Sequence, residues 1–174
     1  MVYLGFESPE KIIPLLQQFP EKQFYYYGEF KQSECRQNVH LRPVSRDGFK
    51  RDLADCYGVI TNAGFELVSE ALHLGKRILV KPLHGQMEQL SNALALRQLQ
   101  LGQSTDALTA NAIRRWLDTA TAPNCQYPDV AKAIANWIMA GDWSKPEQLA
   151  SKLWAETQLT IHGDIDIQRT LSPA

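Results

Sequence analysis

Residues 55–102 constrain the fold more than any other part of this chain. Two short runs rich in aliphatic and β-branched residues, 57–61 and 77–82, alternate with two runs in which apolar residues recur at helical spacing. Strands that alternate with helices favour parallel pairing through right-handed crossovers, because each helix carries the chain back across the sheet. This stretch therefore predicts an α/β domain built on a parallel sheet.

The remaining segments continue the alternation. Further strands are predicted at residues 2–6, 22–27, 39–44 and 103–104, and further helices begin near Ser8, Asp47, Asp106 and Asp129. Residues 29–38 are expected to form a polar loop and residues 124–128 a linker. The helix at 86–101 is expected to bury Met87, Leu90, Ala93, Leu94, Leu96 and Leu99. The elements favour a Rossmann-like, doubly wound parallel sheet of about six strands in the order 3-2-1-4-5-6, with helices on both faces.

Composition narrows the class of protein. A chain of 174 residues, 44% hydrophobic and 21% charged, suits one globular domain with a real core. We expect that domain at residues 1–141, and a helical extension and tail at 142–174. The net charge of −1 gives no electrostatic case for a nucleic-acid partner. Three widely spaced cysteines favour a reduced, cytoplasmic setting, and neither a signal peptide nor an apolar run of about 18 residues is found.

The joint after the strand at 57–61 carries the first functional signal. The chain turns through Asn62, Ala63 and Gly64 and enters a helix at once. Gly64 lacks a Cβ, and a helix N-terminus offers free N–H groups and a positive dipole end, which together suit an anion. Glu66 and Glu70 share one helix face, so a phosphate at the tip and a ribose beside Glu70 fit a nucleoside diphosphate. The alternative is an ordinary βα joint with two solvated glutamates.

Topology points to the same place. In the order 3-2-1-4-5-6 the first and fourth strands are neighbours, and the strand order reverses between them. Ligands of open α/β sheets bind at such a reversal, beyond the carboxyl ends of the strands. The joints at residues 5–8 and 62–66 would face each other there.

An ordered pattern of residues carries a resemblance to a known family. It consists of Gly64, Ser69, Glu70, Gly75, Pro82, Gly85, Gln86, Glu88, Gln89 and Asn92 at fixed spacing. The pattern resembles the donor-binding signature of GT-B glycosyltransferases, and it is similar to UDP-glycosyltransferases and to the peptidoglycan N-acetylglucosaminyltransferase. The resemblance covers residues 1–140, which would be one half of a two-domain enzyme. It implies the nucleotide-sugar-binding half of a transferase that moves a hexosyl group to an unknown acceptor.

The resemblance assigns roles residue by residue. It implies that the donor nucleotide contacts Gly5, Phe6, Arg42, Val44, Asn62, Gly64, Phe65, Glu66 and Glu70, and that the donor sugar contacts His84, Gln86, Glu88 and Gln89. Glu70 would accept hydrogen bonds from the ribose hydroxyls, and backbone groups of residues 42–44 would receive the base. Phe65, Glu66 and Leu67 depart from the family pattern, which tends to have small or hydroxyl residues at these positions. A carboxylate at Glu66 would repel a diphosphate by about 1 kcal/mol at 4 Å even in water.

The same resemblance limits what this chain can do alone. The catalytic base would lie in an N-terminal acceptor-binding domain, so no catalytic residue is assigned, and the fragment is expected to be inactive by itself. Neither a metal nor a cofactor is expected beyond the UDP-sugar donor. Any peripheral membrane association would come through the other half. Two alternatives remain, a non-catalytic binding or regulatory module, which Glu66 favours, and half of a UDP-sugar epimerase.

Overall fold

The computed structural model describes residues 1–119, 122–141 and 143–161. Within these residues, one sheet contains the strands β1 (Val2–Tyr3), β2 (Phe24–Gly28), β3 (Glu34–Arg36), β4 (Val39–Pro43), β5 (Gly58–Thr61), β6 (Arg77–Val80) and β7 (Gln103–Ser104). Its spatial order is β3-β4-β2-β1-β5-β6-β7. The neighbouring strands are parallel except for the antiparallel pair of β3 and β4. Without β3 the order is 3-2-1-4-5-6, so the predicted fold class is confirmed.

Helices cover both faces of the sheet. They are α1 (Pro9–Leu16), α2 (Arg46–Asp55), α3 (Phe65–His73), α4 (Met87–Gln98) and α5 (Ala110–Leu117). One core contains Ile13 of α1 and Ile113 of α5, and the other contains Leu53 of α2, Leu72 of α3 and Leu96 of α4. The helices therefore divide into α1 and α5 on one face and α2, α3 and α4 on the other.

The reversal of strand order lies between β1 and β5. Val2 of β1 pairs with Tyr26 of β2 on one side and with Ile60 of β5 on the other. The chain leaves β1 through α1 over one face and leaves β5 through α3 over the opposite face. The N-termini of α1 and α3 therefore flank one crevice at the carboxyl edge of the sheet, as the topology predicts.

Two predictions about the sheet and its cover are wrong. The predicted loop at 29–38 contains β3, whose residues are exposed and polar and therefore lack the alternating apolar pattern that signals a strand. Met87, Leu90 and Leu94 of α4 are exposed at 77%, 41% and 45%, not buried. Helix α4 packs at the edge of the sheet, where a narrow stripe that includes Ala93 and Leu96 is enough to cover the last strands.

The C-terminal part adds a second, small sheet. Strand β8 (Asn124–Gln126) pairs antiparallel with β9 (Gln158–Thr160), and the helices α6 (Val130–Ala140) and α7 (Pro146–Glu156) lie between them in sequence. The predicted linker at 124–128 is thus partly a strand, and it packs on α3. The boundary at residue 141 stays a prediction, and residues 162–174 of the predicted tail lie outside the described residues.

We predict that Gly58→Ala lowers the free energy of unfolding by about 2 kcal/mol, because overpacking forces a well-packed core to shift. A Cβ on Gly58 would lie 2.5 Å from Cζ2 of Trp116 and 2.8 Å from the carbonyl oxygen of Arg77. Urea denaturation measures the change. Gly5→Ala is the matched control, since a Cβ there meets no heavy atom within 4 Å. Equal stability of the two variants would contradict the close approach of Trp116 to β5.

Candidate functional site

The crevice between β1 and β5 is bordered by two helix N-termini without side-chain caps. Gly64 occupies the N-cap position of α3 and has no side chain to offer, while the hydroxyl of Ser8 at α1 donates to the Glu10 carboxylate instead of accepting from the helix. A Cβ added at Gly5 or Gly64 would meet no heavy atom within 4 Å. The first N–H groups of α3 are therefore available to an anion. Helix α1 contributes mainly its dipole, because Pro9 lacks an N–H and the Glu10 N–H bonds to its own carboxylate.

Two asparagine amides hold the turn that leads into α3. Asn62 is buried, and its Nδ2 donates to the carbonyl oxygen of Lys81 at 3.1 Å. Nδ2 of Asn92, on α4, donates to the carbonyl oxygen of Ala63 at 3.0 Å. Ala63 has φ = 69°, a left-handed conformation that costs a residue with a Cβ about 1 kcal/mol or more. The two amide hydrogen bonds offset that cost and hold the turn.

Glu70 lies on the wall of a groove between α2 and α3. The groove has a volume of about 880 Å³, and its lining includes Lys50 of α2 and Phe65, Ser69, Glu70 and His73 of α3. The Glu70 side chain is exposed, and it lies on the same helix as the open tip at Gly64. Residues Tyr127, Pro128, Asp129 and Val130 border the same groove. A ligand at the tip could thus extend along α3 past the Glu70 carboxylate.

The Arg42 guanidinium is held by contacts within the protein, although the side chain stays 28% exposed. Its guanidinium forms an ion pair with Oδ2 of Asp52 at 2.8 Å and lies 4.5 Å from the centroid of the Tyr25 ring. The hydroxyl of Tyr27 donates to the same carboxylate oxygen at 2.6 Å. The expectation that backbone groups of residues 42–44 receive the base stays a prediction. Val44 in this segment is exposed.

The four residues expected to contact a sugar lie at the start of α4. His84, Gln86 and Glu88 are exposed, and Gly85 between them has φ = 79°. Gln89 is partly buried, and its Oε1 accepts a hydrogen bond from the Leu83 N–H at 2.9 Å. This bond ties the loop to the helix, which leaves Nε2 of Gln89 as the group that can face a ligand.

An ion pair that the sequence analysis missed crosses the same crevice. The Lys81 ammonium, just after β6, pairs with the Glu7 carboxylate, in the loop after β1. The sequence offered one indication of a role for Lys81, because this residue directly follows a buried strand at the carboxyl edge of the sheet. Glu7 carried none, because 74 positions separate the two residues.

The described residues contain neither a cluster of metal ligands nor a helix that could span a membrane. Among them, no group of three or more His, Cys, Asp or Glu side chains could hold a metal ion. No helix in the described ranges is long and apolar enough to cross a membrane.

Comparisons with known proteins place this fold. A family model described as glycosyl transferase family 1 matches residues 1–120. The glycosyltransferase SnogD from Streptomyces nogalater is 24% identical with a TM-score of 0.53, over 68% of this chain and 34% of that one. The glycotransferase of kitacinnamycin is 17% identical with a TM-score of 0.53, over 67% of this chain and 33% of that one. The spinosyn forosaminyltransferase SpnP is 16% identical with a TM-score of 0.51, over 67% of this chain and 34% of that one. These structures support the fold alone, and the chain spans about a third of their length. No curated protein matches significantly.

We predict that Asp52→Ala lowers the free energy of unfolding by about 2 kcal/mol, because the Tyr27 hydroxyl and the Arg42 guanidinium lose their shared acceptor. Chemical denaturation measures the loss. Asp55→Ala, at an exposed position on the same helix, is the matched control and should leave stability unchanged. If both variants lose the same amount, the carboxylate of Asp52 does not join β2, β4 and α2.

Alkaline pH should destabilise the protein through Tyr27. Burial, and next the hydrogen bond to Asp52, raise the pKa of Tyr27 to about 12, whereas a tyrosine in the unfolded chain ionises at about 10. Because the folded state holds the phenol proton more tightly, stability is lost as pH rises through that window. Denaturation curves between pH 9 and 12 should show a shallower loss for Tyr27→Phe than for the wild type, and equal slopes would refute this.

Proposed function

The chain belongs to glycosyl transferase family 1, and from this premise we propose that it is the nucleotide-sugar-binding half of a glycosyltransferase, with a UDP-sugar as donor. One observation carries the proposal: the uncapped N-terminus of α3 borders a crevice, opposite the N-terminus of α1, at the point where the strand order reverses. Oriented N–H groups and the positive ends of two helix dipoles favour a diphosphate at that point.

The groove beside α3 supports the placement of the nucleoside. A carboxylate can accept two hydrogen bonds side by side, which suits the vicinal hydroxyls of a ribose at Glu70. A volume of about 880 Å³ falls in the range of small-molecule sites. Phe65 at the mouth of the groove and the backbone of residues 42–44 are the proposed contacts of the base.

The start of α4 supports the placement of the sugar. Glu88 offers carboxylate acceptors, and Gln89 keeps an amide donor after its Oε1 is used by Leu83. Together with His84 and Gln86 they provide donors and acceptors in the pattern that sugar hydroxyls need. We propose that these four side chains orient the hexosyl group for transfer.

A second domain is part of the proposal. Four large apolar side chains stay exposed just beyond the strand ends, on Phe6, Val44, Phe65 and Met87. Apolar surface of this kind favours coverage by a ligand or another domain. The chain spans about a third of the solved glycosyltransferases that it resembles. We therefore propose that transfer needs an acceptor-binding domain that also supplies the catalytic base, in the reducing cytoplasm that three free cysteines suit.

A second candidate function rests on Glu66. This exposed glutamate lies in the first turn of α3, where a diphosphate would approach. Its charge opposes that ligand, which favours a binding or regulatory module that keeps the fold without the donor site. Glu66→Gln separates the candidates, because it should raise the affinity of a donor site for UDP by about fivefold, the equivalent of about 1 kcal/mol.

NMR titration of the full chain with UDP tests the proposed function. Amide shifts should concentrate at residues 5–8 and 64–66. Glu70→Gln should weaken binding at least about tenfold, because hydrogen bonds to a charged group contribute about 1.5 kcal/mol or more. Glu147→Gln, at an exposed position on α7, is the control. Scattered shifts at millimolar UDP, or equal binding by the Glu70 and Glu147 variants, would support the module instead.

A further inference from the structure

The Lys81–Glu7 ion pair lies over the end of β5. Register places Tyr3 of β1, Thr61 of β5 and Val80 of β6 at one level of the sheet. Because β5 separates β1 from β6, the pair joins loops that are two strand spacings apart, about 10 Å. It therefore passes across the crevice beside the turn that leads into α3.

The backbone of Lys81 is anchored at that turn. The Lys81 N–H donates to the carbonyl oxygen of Thr61 at 2.9 Å, and its own carbonyl accepts from Asn62 at 3.1 Å. These bonds fix the base of the side chain to the same turn that ends at the open tip of α3. The lysine and glutamate side chains are only 20% and 19% exposed, so solvent screens their charges less than at a surface.

The charge of Lys81 is unusual for its surroundings. In the three loops that meet at the crevice, at residues 4–8, 62–66 and 81–86, Lys81 is the one lysine or arginine in this described part of the chain, and Glu7 and Glu66 are acidic. An ammonium is a strong hydrogen-bond donor to phosphate oxygens. The ion pair therefore places the cation that a phosphate needs beside the tip where its oxygens would lie.

We propose that the Lys81 ammonium binds a phosphate group of the ligand, and that the Glu7 carboxylate occupies this position when no ligand is bound. The inference rests on the proposed function and adds two specificity-determining residues to it. The ligand phosphate exchanges with the carboxylate: the ammonium turns its N–H donors from Glu7 to phosphate oxygens, and Glu7 moves out toward solvent. Breaking the internal pair opposes binding, so Glu7 weakens the affinity for phosphate-bearing ligands and leaves that for an uncharged nucleoside unchanged.

The proposal fixes the behaviour of four proteins: the wild type, Glu7→Gln, Lys81→Gln and the double variant. Calorimetric or NMR titration of the full chain with UDP should give about tenfold tighter binding for Glu7→Gln and about tenfold weaker binding for Lys81→Gln, where tenfold corresponds to one well-formed charged contact. In the Lys81→Gln background, Glu7→Gln should give no further gain. Uridine should bind all four proteins equally.

Controls separate this exchange from general charge effects. Glu21→Gln and Lys22→Gln remove one charge each before β2, at the opposite edge of the sheet, and should leave UDP affinity unchanged. If Glu7→Gln improves UDP binding equally with and without Lys81, Glu7 acts by repulsion alone and the inference is overturned. Thermal denaturation of each variant confirms that the folded protein is compared.

The outcomes also separate this inference from the proposed function. UDP that binds at residues 64–66 with the same affinity in all four proteins overturns the inference and leaves the proposed function standing. If neither UDP nor uridine binds any of the four proteins, the proposed function fails. Titration with inorganic pyrophosphate then tests the exchange between Glu7 and phosphate by itself. Tighter pyrophosphate binding by Glu7→Gln than by the wild type supports the exchange, and equal or undetectable binding overturns it.

Discussion

Right-handed crossovers between parallel strands are the constraint on which the rest of this molecule depends. They send α1 over one face and α3 over the other, so that two helix N-termini arrive at one edge with a gap between them. The gap is a property of the backbone, and side chains only tune it. Asn62 and Asn92 fix the turn at α3, and Gly64 keeps the tip of that helix free of a Cβ atom.

Strand order could be predicted because the central strands are fully buried and leave a strong apolar signal. All four residues of β5 and of β6 are buried, so their runs differ sharply from the amphipathic helices around them. Strand β3 left no such signal, since its exposed residues pair with β4 along one edge only. Helix α4 misled in the other direction, because its apolar residues are spread around the helix and only Ala93 and Leu96 are buried.

The residues of the candidate site also differ in how far the sequence could predict their positions. The tips and Glu70 could be located from the sequence because each follows a strand end or lies within one helix. Side chains that meet across the sheet could not. Arg42 pairs with Asp52 on α2, and Lys81 pairs with Glu7, which is 74 positions away in the sequence. No local sequence pattern predicts either ion pair. Long-range charge pairing is decided by tertiary structure, which sets how close two loops come.

The short ladder between β8 and β9 has a consequence for how this chain can evolve. Three residue pairs join its two strands, and α6 and α7, which bury none of their side chains, lie between them. A segment closed at its base in this way resembles an insertion on a surface loop, where added or lost residues change closure entropy only slowly. Changes in the length of this segment between Val130 and Glu156 would therefore cost little, whereas Cys125 in the core and residues 127–130 beside the groove tie its base to the rest of the domain. The family match ends at residue 120, just ahead of this segment.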